Sequence, residues 1–201
     1  MEIVRRATVN TRRLAVMPGS FNPPTRAHIG LAEAALRHAD EVLFAIPRTF
    51  PHKEYHGATL DQRVAMLGAA APWDSASIAV ADRGLFIDIA RELRPHYPES
   101  ELVFLCGRDA AERVVSWSYS EGSIDEMLRE FGLLVASRDG DYDPPAHLGH
   151  AITALICANY DEVSSSAVRD RIAAGLPWED LVPQPIVEAV REIYSDASRN
   201  R

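Results

Sequence analysis

Six short apolar runs of strand length punctuate the chain: RLAVM at 13–17, VLFAIP at 42–47, SIAVA at 77–81, ELVFLC at 101–106, LLVAS at 133–137 and AITALICA at 151–158. Between most of them lie segments with helical periodicity, HIGLAEAALRHA, LDQRVAMLGAAA, FIDIARELR and SIDEMLREF. Strands alternating with amphipathic helices predict an α/β fold, a doubly wound and mostly parallel sheet with helices on both faces. From Ser164 onward the pattern changes to two helices. SSSAVRDRIAAG has serine caps at its start and Gly175 as its stop, and PIVEAVREIY is entered through Pro183 and Pro185. Residues 1–201 carry no internal repeat, low-complexity tract or linker, so a single domain with a helical C-terminal part from about 164 is expected. In an open sheet of this class ligands bind at the carboxyl ends of the strands, where loops lead into helix N-termini.

Composition narrows the picture. A chain of 201 residues is about one domain long, and 47% hydrophobic with 25% charged residues is ordinary globular usage. With 21 basic against 29 acidic residues the net charge is -8, which argues against a nucleic-acid coat and requires any phosphate to meet a local pocket. Twenty of the basic residues are arginine and one, Lys53, is lysine. Cys106 and Cys157 each sit in an apolar run, the pattern of buried free thiols rather than a disulfide framework. No stretch approaches the roughly 18 apolar residues of a membrane span, and the N-terminus has no signal-like apolar core. A cytoplasmic protein without membrane or nucleic-acid partners is the expectation.

Two segments carry candidate chemistry. The first run leads into MPGSFNPPTRAHIGLAEAAL. Gly19 permits a tight turn, Pro23 and Pro24 stiffen the loop, and Thr25 is placed to cap a helix with His28 in its first turn. Backbone N–H groups, a helix dipole and an imidazole would then converge on one spot suited to a phosphate. This is neither GxxxxGK[ST] nor GxGxxG. Far along the chain, VSSSAVRDRI sets Ser164 to Ser166 at a helix start with Arg169 one turn in, on the side of Ser165 or Ser166. Hydroxyls, free N–H groups and a guanidinium there make a second candidate anion site. Taken alone, each segment also reads as an ordinary structural turn or cap.

Together the two segments resemble the nucleotidylyltransferase superfamily, whose first motif runs G-x-F-(D/N)-P then H/T-x-x-H and whose last reads I-S-(S/T)-(S/T)-x-x-R. Gly19-Ser20-Phe21-Asn22-Pro23, Thr25-Arg26-Ala27-His28 and Val163-Ser164-Ser165-Ser166-Ala167-Val168-Arg169 match them. Within the superfamily the chain is most similar to the nicotinate and nicotinamide mononucleotide adenylyltransferases. PHK at 51–53 with QRVAML at 62–67, GRDAAERVVSW at 107–117, LVASRDG at 134–140 and the tail WEDLVPQPIVEAVREIY follow in that family's order. The resemblance implies a Rossmann-like fold and transfer of AMP from ATP to a pyridine mononucleotide with release of pyrophosphate, in NAD biosynthesis, with Mg²⁺. It assigns catalytic roles to His28, Lys53 and Arg169. ATP would be bound by Gly19, Ser20, Phe21, Thr25, Gly107, Asp109, Ser165 and Ser166, with His28 at the α-phosphate and Arg169 at the β,γ-phosphates. Asn22, Arg48, Trp117 and Arg138 would meet the acceptor, Trp117 by stacking on its ring. The partners implied are small nucleotides, with a homo-oligomer left open.

Some positions depart from the pattern. Thr25 stands where bacterial members usually carry the first His, and Ala27 where they carry Gly. Leu85-Phe86-Ile87 replaces an S-Y-T whose hydroxyls lie near the pyridine carboxylate, a loss that Arg48 could offset. A literal HxGH at His147 to His150 follows a polar loop and precedes a β-like run, so it reads as surface, with only an incidental metal site of His147, His150 and Asp141 or Asp143 as an alternative. Trp73 and Trp178 read as packing residues. Nicotinate, nicotinamide and other phosphorylated acceptors such as phosphopantetheine stay open, as does a nucleotide-binding protein with little activity.

Overall fold

The computed structural model describes residues 1–49, 57–116, 124–136, 142–155, 160 and 162–197. Seven strands are formed: β1 (Glu2–Arg5), β2 (Arg13–Pro18), β3 (Glu41–Pro47), β4 (Ala76–Ala81), β5 (Glu101–Gly107), β6 (Gly132–Ala136) and β7 (Ile152–Leu155). The helices are α1 (Arg26–Ala35), α2 (Leu60–Ala70), α3 (Phe86–Leu93), α4 (Arg108–Ser116), α5 (Ile124–Glu130), α6 (Ser165–Ala173) and α7 (Val187–Ala197). Each expected apolar run contains a strand. Of the last run, 156–158 lie outside the described residues.

The strands make one sheet in the order β1-β4-β3-β2-β5-β6-β7, parallel throughout except where β1 pairs with β4. Counting only the parallel strands, the order is third-second-first-fourth-fifth-sixth, which is the Rossmann-like winding. The direction of winding reverses between β2 and β5, which pair from Arg13↔Glu101 to Val16↔Phe104. The loops leaving β2 and β5 diverge there and leave a crevice at the carboxyl ends.

Two-residue periodicity sends β2 side chains to both sides. Leu14 and Val16 join a core with Ile89, Ala90 and Leu93 of α3, Ala111 of α4 and Met127 and Leu128 of α5. Ala15 and Met17 join the opposite core with Ala32 and Ala35 of α1 and Leu67 of α2. Each fully buried Leu or Phe in these layers contributes about 2 kcal/mol. A third cluster lies outside α2, where Met66 and Ala70 meet Val168 of α6, Trp178, and Val190 and Tyr194 of α7. The C-terminal helices are therefore a cover over α2, with Gly175 at φ 67 ending α6 as expected. Trp178 and Trp73 both pack, Trp178 in this third cluster and Trp73 against the second.

The antiparallel strand β1 was not anticipated. Its EIVR sequence is short, and its residues alternate between exposed and half-buried, so it offers no apolar run. It is held from outside its own sequence: Arg5 donates to the carbonyls of Ala76 at 3.2 Å, Gly68 at 3.2 Å and Ala71 at 2.5 Å, and the Met1 ammonium lies 3.1 Å from Asp82. Cys106 is a buried free thiol, and burial pushes its pKa up to about 12, while Cys157 lies outside the described residues. Among the described residues no helix is long and apolar enough to cross a membrane.

Candidate active site

The loop between β2 and α1 begins with Gly19, whose N–H donates to the Ala45 carbonyl at 3.0 Å. A Cβ on Gly19 would come within 2.8 Å of the Phe21 ring, so the residue must be small. Phe21 adopts φ 47, in the left-handed region unusual for a side-chain-bearing residue, and such a conformation persists only where the surroundings enforce it. Its ring is buried edge-on against Phe44, with centroids 5.6 Å apart, and against His28 at 5.1 Å.

Thr25 is the N-cap of α1 and is fully buried, and His28 lies in the first turn, both as expected. The Thr25 backbone N–H donates to His28 Nδ1 at 2.9 Å, and the Thr25 hydroxyl lies 2.8 Å from the same nitrogen. A backbone N–H can only donate, so Nδ1 is the acceptor and the imidazole proton sits on Nε2. Thr25 therefore works on the tautomer of His28 instead of supplying a second imidazole. The helix start and its imidazole carry donors of one polarity, the requirement for holding an anion.

The second anion motif closes on the first across more than 140 residues of sequence. Ser164 is the N-cap of α6, its hydroxyl accepting from the Ala167 N–H at 3.0 Å. Ser165 donates to the Pro23 carbonyl at 2.7 Å. Arg169 donates from Nη1 to the Asn22 carbonyl at 2.5 Å and from Nη2 to the Ser166 hydroxyl at 3.2 Å. The expected side shared by Ser166 and Arg169 is thus present. Farther from the N-terminus of α1, a Cβ on Gly30 would fall 2.1 Å from the Tyr160 hydroxyl, so α1 and the segment entering α6 are in close contact.

Two residues not singled out from sequence complete the loop's support. Arg63 of α2 is 4% exposed and donates from Nη1 to the Ser20 carbonyl at 3.1 Å. Tyr194 of α7 is buried and donates its hydroxyl to Asn22 Oδ1, which also accepts from the Ala58 N–H at 3.3 Å. Gly57, at φ 101, passes beside that phenol, where a Cβ would meet Tyr194 Cε1 at 2.7 Å. The available signal was position: Arg63 occupies the buried stripe of Met66, Leu67 and Ala70, and Tyr194 follows Val187 and Val190 on the buried side of α7. A polar group on an apolar stripe requires a buried partner.

Gly107 ends β5 and Asp109 lies in the first turn of α4, exposed, on the strand beside β2. Arg48 follows β3, but its guanidinium is paired with Glu2 at 2.5 Å and lies 3.8 Å from Asp82, so the arginine expected to meet an acceptor is engaged by the β1 edge. Asn22, also expected at the acceptor, is 6% exposed and turns its side chain to Tyr194 and Ala58. Lys53, Trp117 and Arg138 lie outside the described residues, as does Asp141. The HxGH stretch forms a single 3-10 turn, Ala146–Leu148, with Leu148 buried and both histidines exposed. The ring of His150 contacts the His147 carbonyl at 3.1 Å, and no cluster able to hold a metal ion exists among the described residues.

Residues 16–171 match the cytidylyltransferase-like family, a span that takes in both anion motifs. The chain belongs to that family. A Geobacter protein described as a probable nicotinate-nucleotide adenylyltransferase is 30% identical over 92% of this chain and 99% of its own length. One from Exiguobacterium sibiricum with the same description is 31% identical, covering 90% and 96%. The nicotinic acid mononucleotide adenylyltransferase of Plasmodium falciparum, solved in complex with APC, shares the fold at a TM-score of 0.64 and 15% identity, covering 90% of this chain and 94% of that one. The kinship implied by the sequence motifs of this cytidylyltransferase-like protein is borne out by these relatives, and the doubly wound fold by the structural likeness.

Proposed function

We propose that the chain transfers AMP from ATP to nicotinate mononucleotide or its amide, releasing pyrophosphate, as a step of NAD biosynthesis. The observation that carries this reading is the junction of the two helix starts, in which Ser165 and Arg169 of α6 bind the carbonyls of Pro23 and Asn22 just ahead of α1. An oxygen of the acceptor phosphate attacks the α-phosphorus of ATP, the bond from that phosphorus to the bridging oxygen breaks, and pyrophosphate leaves. The nucleophile is already anionic, so positioning and charge stabilisation do most of the work.

In this reading His28 donates from Nε2 to an α-phosphate oxygen, and the N-terminus of α6 with Ser165, Ser166 and Arg169 holds the β,γ-phosphates. The Gly19 to Phe21 backbone and Thr25 shape the loop, Gly107 and Asp109 receive the ribose, and Lys53 adds a cation. Trp117, Arg138 and Arg48 face the acceptor, with Arg48 exchanging its acidic partners for it. ATP arrives as its Mg²⁺ complex. The ion then enters as part of the substrate.

One observation favours a different phosphorylated acceptor: Leu85, at the N-cap of α3, is 51% exposed and offers no hydroxyl where the family uses them. Pyrophosphate release with ATP and Mg²⁺ across nicotinate mononucleotide, nicotinamide mononucleotide and phosphopantetheine separates the readings. Turnover is expected with at least one pyridine nucleotide. Turnover only with phosphopantetheine, or tight ATP binding without turnover on any acceptor, would replace it.

A further inference from the structure

We infer that Tyr194 is a positioning residue for the phosphate-binding loop, so that the C-terminal helix α7 sets the working geometry of the segment from Gly19 to His28. The inference rests on the adenylyl-transfer reading for its kinetic consequence and on the loop geometry for the rest.

The loop has an unusual hydrogen-bonding problem. Pro23 and Pro24 carry no N–H, so this stretch of backbone is poor in donors of its own. Donors from elsewhere take over: Arg169 on Asn22, Ser165 on Pro23 and, one turn earlier, Arg63 on Ser20. A carbonyl and the following N–H lie in one plane and point oppositely. Drawing the Ser20 carbonyl toward Arg63 therefore directs the Phe21 N–H to the other side. These donors fix main-chain carbonyls, whereas Tyr194 fixes a side chain, that of Asn22 next to the left-handed Phe21, 172 residues away in sequence.

The contact is built to be definite. Tyr194 is 5% exposed, and its ring is seated against Gly57, where no larger residue fits. Burial raises the phenol's pKa against the opposing pull of Arg169 and Arg63, so at neutral pH the hydroxyl keeps its proton and donates. Asn22 Oδ1 then receives two donors, the phenol and the Ala58 N–H, and joins α7, the segment entering α2 and the loop in one node. The left-handed Phe21 next to it packs on His28, so a relaxed Asn22 is transmitted to the imidazole through one residue.

Tyr194→Phe in the full chain keeps the ring and removes only the hydroxyl. The expected result is a thermal midpoint lowered by no more than about 4 °C, faster hydrogen–deuterium exchange in the peptide spanning 18–29, and a kcat for pyrophosphate release about tenfold lower with KM for ATP changed less than about twofold. Asn22→Ala and the double variant complete a cycle, in which the double variant is no slower than Asn22→Ala alone because the hydroxyl acts through that side chain. Wild-type kcat and wild-type loop exchange in folded Tyr194→Phe overturn the proposal. A destabilised variant whose loop exchange rises no more than that of the remaining chain overturns it as well, since the residue would then be packing only. If the wild-type protein neither binds ATP nor releases pyrophosphate, the activity reading fails and the loop exchange alone decides the role of Tyr194.

Discussion

The two ends of the parallel strands handle buried polarity in opposite ways. At the amino end Glu41 is 1% exposed, and its carboxylate accepts from the hydroxyls of Thr11, Ser77 and, at 2.6 Å, Tyr97. The donors come from the segment before β2, from β4 and from the turn after α3, so the buried acceptors are satisfied within the protein. A cleft of about 290 Å³ opens beside it, lined by Arg6, Thr11, His96 and Ser100 among others, yet both Glu41 oxygens already have partners. At the carboxyl end the protein's donors are applied to its own carbonyls at Ser20, Asn22 and Pro23, beside the N-terminal ends of α1 and α6. The first cluster satisfies a buried acid, and the second fixes the loop on which the proposed phosphate site rests.

That contrast is open to attack, beginning where the effect should be greatest. His28→Ala removes the donor aimed by Thr25 and is expected to lower the rate of pyrophosphate release by on the order of 10²-fold or more, with little change in the urea midpoint. An undiminished rate would mean that the site is elsewhere. Glu41→Gln should do the reverse, costing about 2 kcal/mol in urea unfolding because an amide replaces one acceptor oxygen among three hydroxyls, while kcat of the folded protein stays at the wild-type value. A kcat loss in that variant would show that the two ends are coupled. The smallest effect concerns Asp40, whose carboxyl accepts from the N–H groups of Arg13 at 2.8 Å and Arg12 at 2.9 Å and is held below its usual 3.8 chiefly by the Arg13 contact. Its contribution is complete above pH 3.8 and disappears as pH falls through the lower folded-state value, so Asp40→Asn should lower stability slightly at pH 7, flatten the acid limb of the stability curve and leave stability at the acid end nearly unchanged.

Much of the fold could be read from the chain because the parallel strands are buried on both faces and therefore appear as apolar runs. The edge strand β1 could not, since half of it faces solvent and its anchors, Arg5 on the carbonyls at the end of α2 and Met1 on Asp82, depend on the finished fold. The site divides along the same line. Thr25, His28, Ser164 and Arg169 were visible because helix caps and first-turn neighbours are local in sequence. Arg63 and Tyr194 were hidden because their partners, Ser20 and Asn22, lie 43 and 172 residues away. Arg48 shows the converse: its chemistry was legible, but its pairing with Glu2 depended on a strand that the pattern did not reveal.

The close approach at Gly30 ties the body of α1 to the residue ahead of α6. With the Tyr160 hydroxyl 2.1 Å from where a Cβ on Gly30 would stand, α1 and the residue ahead of α6 meet closely. The spacing of the two helix starts, on which the proposed phosphate site depends, is tied to this contact. A side chain at position 30 must displace the Tyr160 ring, and in the proposed reading it would alter that spacing while leaving His28, Ser165 and Arg169 unchanged.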